Sequence, residues 1–346
     1  MGTKTLPRRD SSRYCHQKFH NKHGLGFNSM LQESLEAFLE AVSTISPNAV
    51  WTLSTASPSF FYQVELARFS ALRKVELAFS SYTSDLFEKL SRLDYLNDLL
   101  VNSLDGTTPQ IGRGRFAALQ NIEFCVRGEH NLPELLTNFS FPRLQSAHII
   151  IRGRSDIATK RRILDALCSG SPLLCTLMLN FHSRGHAKHP SMKLLEPLLA
   201  LSRMKELQIM TTARLSVSED DIRMMAQSWP ELESLDMNYT CVGPAPPIQS
   251  IVEFAQHCPR LRRLHFPRFS CVSHTFPPTS VPSPHCERRL ELRGLDIDVD
   301  DVELCWRAAE FIEGMFPGEE DLEDGKVYDA GSLMVRSMMI RCRDAS

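Results

Sequence analysis

The sequence predicts an α/β solenoid, a stack of short parallel strands joined by helices, and three observations predict it. An apolar pattern returns along the chain at near-constant spacing, a helical stripe precedes most copies, and a proline often stands between stripe and pattern. The pattern is LxxLxφ, with φ apolar: Leu72, Val75, Leu77; Leu119, Ile122, Phe124; Leu144, Ala147, Ile149; Leu174, Leu177, Leu179. It continues with Met204, Leu207, Ile209; Leu232, Leu235, Met237; Leu261, Leu264, Phe266; and Leu292, Leu295, Ile297. From the third copy onward the intervals are 30, 30, 28, 29 and 31 residues, near the upper end of the ~20–29 residues of a leucine-rich repeat. Chance does not hold that register over five intervals.

Taken in order, residues 1–28 carry six Lys or Arg, one acid and three His without periodicity, which predicts a disordered basic tail. Leu35, Phe38, Leu39 and Val42 share one helical face and lead into a degenerate first unit with Val50 and Leu53 in its strand. Leu132, Leu135, Leu136 and Phe139 form a second stripe, and Ile251, Phe254, Ala255 and Cys258 a third; i, i+3, i+4 spacing puts such residues on one side of a helix. Pro142, Pro172, Pro230 and Pro259 stand two residues before Leu144, Leu174, Leu232 and Leu261. Proline ends a helix and biases its predecessor toward extended backbone, so each marks the passage from helix to strand. Residues 102–115 and 267–289 read as loops, the second because Pro267, Pro277, Pro278, Pro282 and Pro284 lie among many Ser and Thr. Val302, Cys305, Trp306, Ala309, Phe311, Ile312 and Phe316 predict a terminal helix capping the stack, and the run Glu319, Glu320, Asp321, Glu323, Asp324 a solvated acidic tail. The expected organisation is a tail over 1–28, the solenoid over 29–316 and a second tail over 317–346.

Several function classes find no support. A formal charge of -2 leaves no chain-wide basic field for nucleic acid or an anionic membrane. The polar N-terminus lacks the apolar core of a secretory signal, and the ten cysteines include no CxxC pair, which suits reduced thiols in the cytoplasm or nucleus. The doubly wound α/β sheet also alternates helix and strand, but no GxGxxG follows any strand here. His16, His20, His23 and His182, His186, His189 share an HxxxHxxH spacing, yet both sets lie in loop-like segments without carboxylate or thiolate company, so no metal site is expected. Asp296, Asp298 and Asp300 imitate a calcium loop whose sixth position is Asp301 instead of glycine and whose twelfth is Arg307 instead of glutamate. Gly112-Arg-Gly-Arg115 lacks the phosphate-loop spacing and reads as a flexible loop. No GxSxG or HExxH occurs, so no enzyme and no cofactor are expected.

What remains is a surface. In each strand the second Leu and φ face the core, so the residues between and beside them face the concave side. That alternation selects Glu206, Gln208, Asp236, Asn238, Arg263 and His265 as a polar patch over three neighbouring strands, an expected binding face for a protein partner.

The runs Asp221–Met237 and Ile251–Phe266, the latter with Cys258-Pro-Arg-Leu-Arg-Arg-Leu-His-Phe266, resemble the repeats of F-box and leucine-rich-repeat proteins. The form is especially similar to the irregular, ribonuclease-inhibitor-like repeats of the large fungal F-box families, and the resemblance covers about residues 31–316. It implies a horseshoe of short parallel strands and helices that selects a substrate, while an N-terminal F-box docks a Skp-type adaptor of a cullin ubiquitin ligase. Leu6-Pro7-Arg8-Arg9 lacks the apolar helical continuation of an F-box, so no residue here is assigned to adaptor binding. The expectation is an interaction scaffold without enzymatic activity; the alternatives are a ligase component whose F-box is missing from this chain, and an enzyme with a site in its loops.

Overall fold

The computed structural model describes residues 41, 44–45, 50–55, 66–78, 84–105, 112–127, 132–153, 156–182, 188–271, 276, 291–296 and 302–315. Each repeat opens with a tight turn that delivers its first apolar residue to the core. The amide of Leu144 donates to the Phe141 carbonyl (3.1 Å), and Leu174 pairs likewise with Ser171 (3.2 Å), Leu232 with Trp229 (3.1 Å) and Leu261 with Cys258 (3.0 Å). Proline holds the second position of these four turns, where its fixed φ fits and no amide is needed. Ser70, Asp94 and Ser202 occupy the same place in turns closed by Leu72, Leu96 and Met204.

The next two amides converge on one carbonyl of the preceding repeat. Cys175 and Thr176 both donate to Gln145 (2.9 and 3.0 Å), Lys205 and Glu206 to Cys175 (2.8 and 3.0 Å), and Glu233 and Ser234 to Lys205 (2.7 and 2.9 Å). The same arrangement recurs from the Trp51 carbonyl to the Glu233 carbonyl. These carbonyls form the first rung of the strands: β1 (Thr52–Thr55), β2 (Lys74–Leu77), β3 (Asp98–Asp105), β5 (Asn121–Arg127), β7 (Ser146–Arg152), β8 (Thr176–His182), β10 (Glu206–Ser216), β11 (Ser234–Cys241), β12 (Arg263–Ser270) and β13 (Glu291–Asp296).

These ten strands lie side by side in chain order, and every pair between them is parallel. Between β3 and β5 lies the short β4 (Gly114–Arg115), which pairs with β6 (Phe139–Ser140) in a separate two-stranded sheet, and β9 (Lys188–Pro190) extends the main sheet beside the far half of β10. One register row runs across the main sheet through Leu53, Val75, Leu99, Ile122, Ala147, Leu177, Leu207, Leu235, Leu264 and Leu292. The protein is therefore a mixed α/β fold built on a long parallel sheet.

Helices fill the connections: α1 (Ser84–Ser91), α2 (Leu132–Asn138), α3 (Ile157–Gly170), α4 (Ser191–Leu195), α5 (Glu219–Ser228), α6 (Ile251–His257) and the terminal α7 (Val302–Met315). Local chemistry starts the longer ones. Asp156 caps α3 by accepting from the Thr159 amide (2.6 Å), a bond that holds its carboxyl below the usual range. At α5, Ser218 and Asp221 cap each other reciprocally. Buried faces of the helices join the buried strand residues in one continuous core. Leu174, Leu177, Leu179, Leu232, Leu235, Leu261 and Leu264 are all buried, as the repeat predicts.

Polar groups inside this core connect one repeat to the next. The Trp229 indole N–H donates to the Leu198 carbonyl (3.0 Å), which also accepts the Leu201 amide (3.0 Å), in the short helix preceding β10. The Cys258 thiol in turn lies 3.4 Å from the Trp229 carbonyl and 3.5 Å from that of Ala226. Burial pushes the Cys258 thiol up to about 12. Ion pairs bridge successive helical segments on the outside, Arg161 to Glu196 (2.7 Å) and Arg223 to Glu253 (2.9 Å).

The structure corrects several expectations. Residues 102–115 are not simply a loop: β3 continues to Asp105 through a register shift after Asn102, and Gly114–Arg115 is strand. The Gly112–Arg115 segment is held closely, since a Cβ on Gly114 would lie 2.7 Å from the Phe139 ring and closer still to Ser91 Oγ. The 267–289 segment begins as strand, with Pro267 inside β12. Proline is tolerated there because pairing with β11 has ended at His265 and the register to β13 jumps between His265 and Phe269. His189 lies in β9, not in a loop.

The last repeat is also displaced. Leu292 pairs with Leu264, so it is the second apolar residue of its copy and not the first. Trp306, expected on the apolar face of the capping helix, is exposed, while Leu304, Ala308, Phe311, Ile312 and Met315 are buried. Both tails, the first helical stripe, His16–His23 and the Ile297–Asp301 part of the calcium-like run lie outside the described residues.

Candidate functional site

Among the described residues the sheet has one face against the helices and one without them. Alternation decides which side chains reach the second, as in β10, where Leu207, Ile209, Thr211, Ala213 and Leu215 are buried and Glu206, Gln208, Met210, Thr212 and Arg214 are not. In-register parallel pairing then lines equivalent residues up across strands. Glu206 and Arg263 flank Ser234 in one row, Gln208, Asp236 and His265 form the next, and Met210 lies beside Asn238 in a third.

Three of the six predicted residues are brought into contact. Gln208 Nε2 donates to Asp236 Oδ2 (3.1 Å), and Asp236 Oδ1 lies 2.8 Å from Nδ1 of His265. Glu206, Asn238 and Arg263 are exposed on the same face.

Sequence reasoning stopped at three strands, but the row runs on through Met178, His148, Glu123, Leu100 and Glu76. His148 Nδ1 faces Glu123 Oε1 at 3.7 Å, and one row away Asn121 donates to Asp98 at 2.7 Å. Glu76, Asn121, Glu123, His148 and Met178 were accessible to the same rule, because each stands beside or between the apolar positions of an earlier copy, whereas Asp98 and Leu100 flank Leu99, in a copy outside those.

Chemically the face presents oriented carboxylates, amides and imidazoles with thioethers between them. Asp236 and His265 are two parts of a nucleophile-activating arrangement. Among the described residues His265 makes no other side-chain hydrogen bond, so no Ser or Cys is placed for activation. No group of three or more His, Cys, Asp or Glu that could hold a metal occurs among the described residues, and no described helix is long and apolar enough to cross a membrane. The strongly displaced titrations lie in the core instead: Cys168 is pushed up to about 12 by burial, with Asp165 adding to it, and Tyr239 is raised by burial.

No known family's sequence model matches this chain, and no curated protein matches it. Among solved structures it is similar to the TLR13 chain in the crystal structure of a TLR13–ssRNA13 complex, at 13% identity and a TM-score of 0.32. That match takes in 72% of this chain and spans 40% of the TLR13 chain.

Proposed function

We propose that the chain is a non-enzymatic protein-interaction scaffold, a leucine-rich-repeat solenoid that presents the helix-free face of its sheet, the concave side, to a protein partner. The observation that carries this reading is the pre-ordered Gln208–Asp236–His265 row on a face that no described helix covers. Side chains already held by their neighbours lose less freedom when a partner arrives. Glu206, Asn238 and Arg263 would supply further contacts, and a ten-strand face is ample for the ~800 Å² per partner of a standard interface. Substrate recognition for a cullin-based ubiquitin ligase, implied by the resemblance to F-box proteins, is a narrower form of the same reading.

The test is affinity capture from a lysate of the native source, followed by mass spectrometry, with the wild-type chain and an Asp236→Lys/Arg263→Glu variant. The expected outcome is a partner retained by wild type and lost from the variant, with both unfolding at the same temperature. Co-purification of a Skp-type adaptor and a cullin would support the narrower form. Capture that survives the double change but disappears on deleting residues 272–289 would move the site off the sheet.

A further inference from the structure

The helix-free face is not uniformly polar. Register places Leu100 on β3, Cys125 on β5, Ile150 on β7, Met178 on β8 and Met210 on β10 in a continuous zigzag across five adjacent strands. None of the five is buried, and Met178 and Met210 are each 37% exposed. Apolar side chains gathered on a solvent-facing sheet mark a contact surface more than scattered ones do, and methionine adapts its shape to varied apolar partners. At ~4.8 Å per strand the stripe is about 19 Å long, the reach of roughly six extended residues.

Charge is divided unevenly about that stripe. In the two outward-facing rows nearest the N-terminal ends of β2 to β11 lie Glu76, Asp98, Glu123, Glu206 and Asp236, against the cation Lys74, while Arg263 and Arg293 continue those rows on β12 and β13. Asp98 is held by the Asn121 amide and Glu123 faces His148. Neither is within ion-pair distance of a described Lys or Arg, and nor are Glu76 and Glu206. Toward the C-terminal ends of the strands the charge changes sign, with Arg152 and Arg214 exposed.

From this juxtaposition we infer that the face binds a short linear segment of a partner polypeptide, with aliphatic side chains seated on the Leu100–Met210 stripe and Lys or Arg along the edge facing the carboxylates. The inference rests on the scaffold reading and adds the chemistry of the partner. The carboxylate edge repels a phosphate backbone, so a polypeptide is favoured over a nucleic acid. Opposite charge along one edge fixes the direction in which the segment lies, since the reversed orientation would set cations against Arg152 and Arg214.

The experiment uses the full chain and four fluorescein-labelled probes in anisotropy titrations: twelve-residue peptides of matched pattern built from Leu and Lys, Leu and Glu, or Ser and Lys, and a single-stranded oligonucleotide. The Leu/Lys peptide should bind at least about tenfold more tightly than the others. Glu123→Lys with Glu206→Lys should abolish that preference, and Met178→Ser with Met210→Ser should weaken Leu/Lys binding by a similar factor, both variants keeping the wild-type unfolding temperature. Equal binding of Leu/Lys and Leu/Glu peptides, tighter binding of the oligonucleotide, or indifference to both variants would overturn the inference. If a captured partner is lost from the Asp236→Lys/Arg263→Glu variant while the Leu/Lys peptide shows no preference, the scaffold reading stands and this inference alone fails.

Discussion

At the scale of single residues, the groups that work hardest are buried polar ones that join repeats. Cys258 is fully covered and its thiol is aimed at the Trp229 and Ala226 carbonyls. Its pKa rises from the ordinary 9.0 to about 12 because ionising it would strand a charge in an apolar core. Above pH 9 the unfolded chain releases a proton that the folded chain retains. The contribution is therefore complete below pH 9 and is lost as pH climbs toward 12, with a slope of up to about 1.4 kcal/mol per pH unit. Tyr239 is raised in the same direction and steepens the loss. Urea midpoints at pH 7.5, 9 and 10.5 should show this alkaline decline, and it should be shallower in Cys258→Ala even though that variant starts less stable. An identical slope in the two proteins would show that the thiol stays solvated. Alternation puts all six candidate residues on one face of the sheet, but which of them touch depends on side-chain reach. Asp236 bridges Gln208 and His265 with separate oxygens, a fact that no spacing rule contains.

At the scale of elements, the repeats were legible wherever apolar spacing and proline agreed, and illegible where the interval changed. Leu96, Leu99 and Val101 fit the LxxLxφ pattern and occupy β3 and its turn. They stand only 24 residues after Leu72 and 23 before Leu119, and no proline precedes Leu96, so neither the later spacing nor the turn signal marks them. The final copy fails for the opposite reason: Leu292, Leu295 and Ile297 satisfy the pattern, yet pairing puts Leu292 beside Leu264, in a register whose flanking pattern positions are Arg289 and Gly294. The β4–β6 pair was hidden because two-residue strands carry no periodicity. Its position depends on Gly114, beside a cluster in which Phe116 stacks on Phe141 at 5.4 Å and meets Phe139 at 5.5 Å. Gly114→Ala should therefore destabilise the protein by about 1–3 kcal/mol, the cost of forcing a methyl into a packed site. Gly112→Ala, whose new Cβ would meet chiefly the flexible Glu88 side chain at 3.2 Å, should cost distinctly less in the same denaturant titration. Equal losses would mean that the loop, not the close approach, sets the cost.

At the scale of the whole molecule, each strand finds its partner one repeat away, so stability is passed between neighbours instead of radiating from a centre. Amides in β8, β10 and β11 have a paired strand on both sides, whereas β1 stands at one end of the sheet. Hydrogen exchange should thus be slowest around Leu177, Leu207 and Leu235 and fastest at Thr52–Thr55. Uniform protection along the sheet would instead indicate one global opening. The shared carbonyls that begin each strand, from Trp51 to Glu233, have a further consequence. The step from one repeat to the next is set by two backbone bonds that do not depend on side-chain identity. The chain between equivalent register positions nevertheless varies from 22 residues, between Leu53 and Val75, to 30, between Ala147 and Leu177. Insertions and deletions are thus absorbed in the connections behind the sheet. The spacing of the forward-facing rows stays at about 4.8 Å whatever the connection length, so such a chain can lengthen or shorten in its connections without moving the side chains of that face.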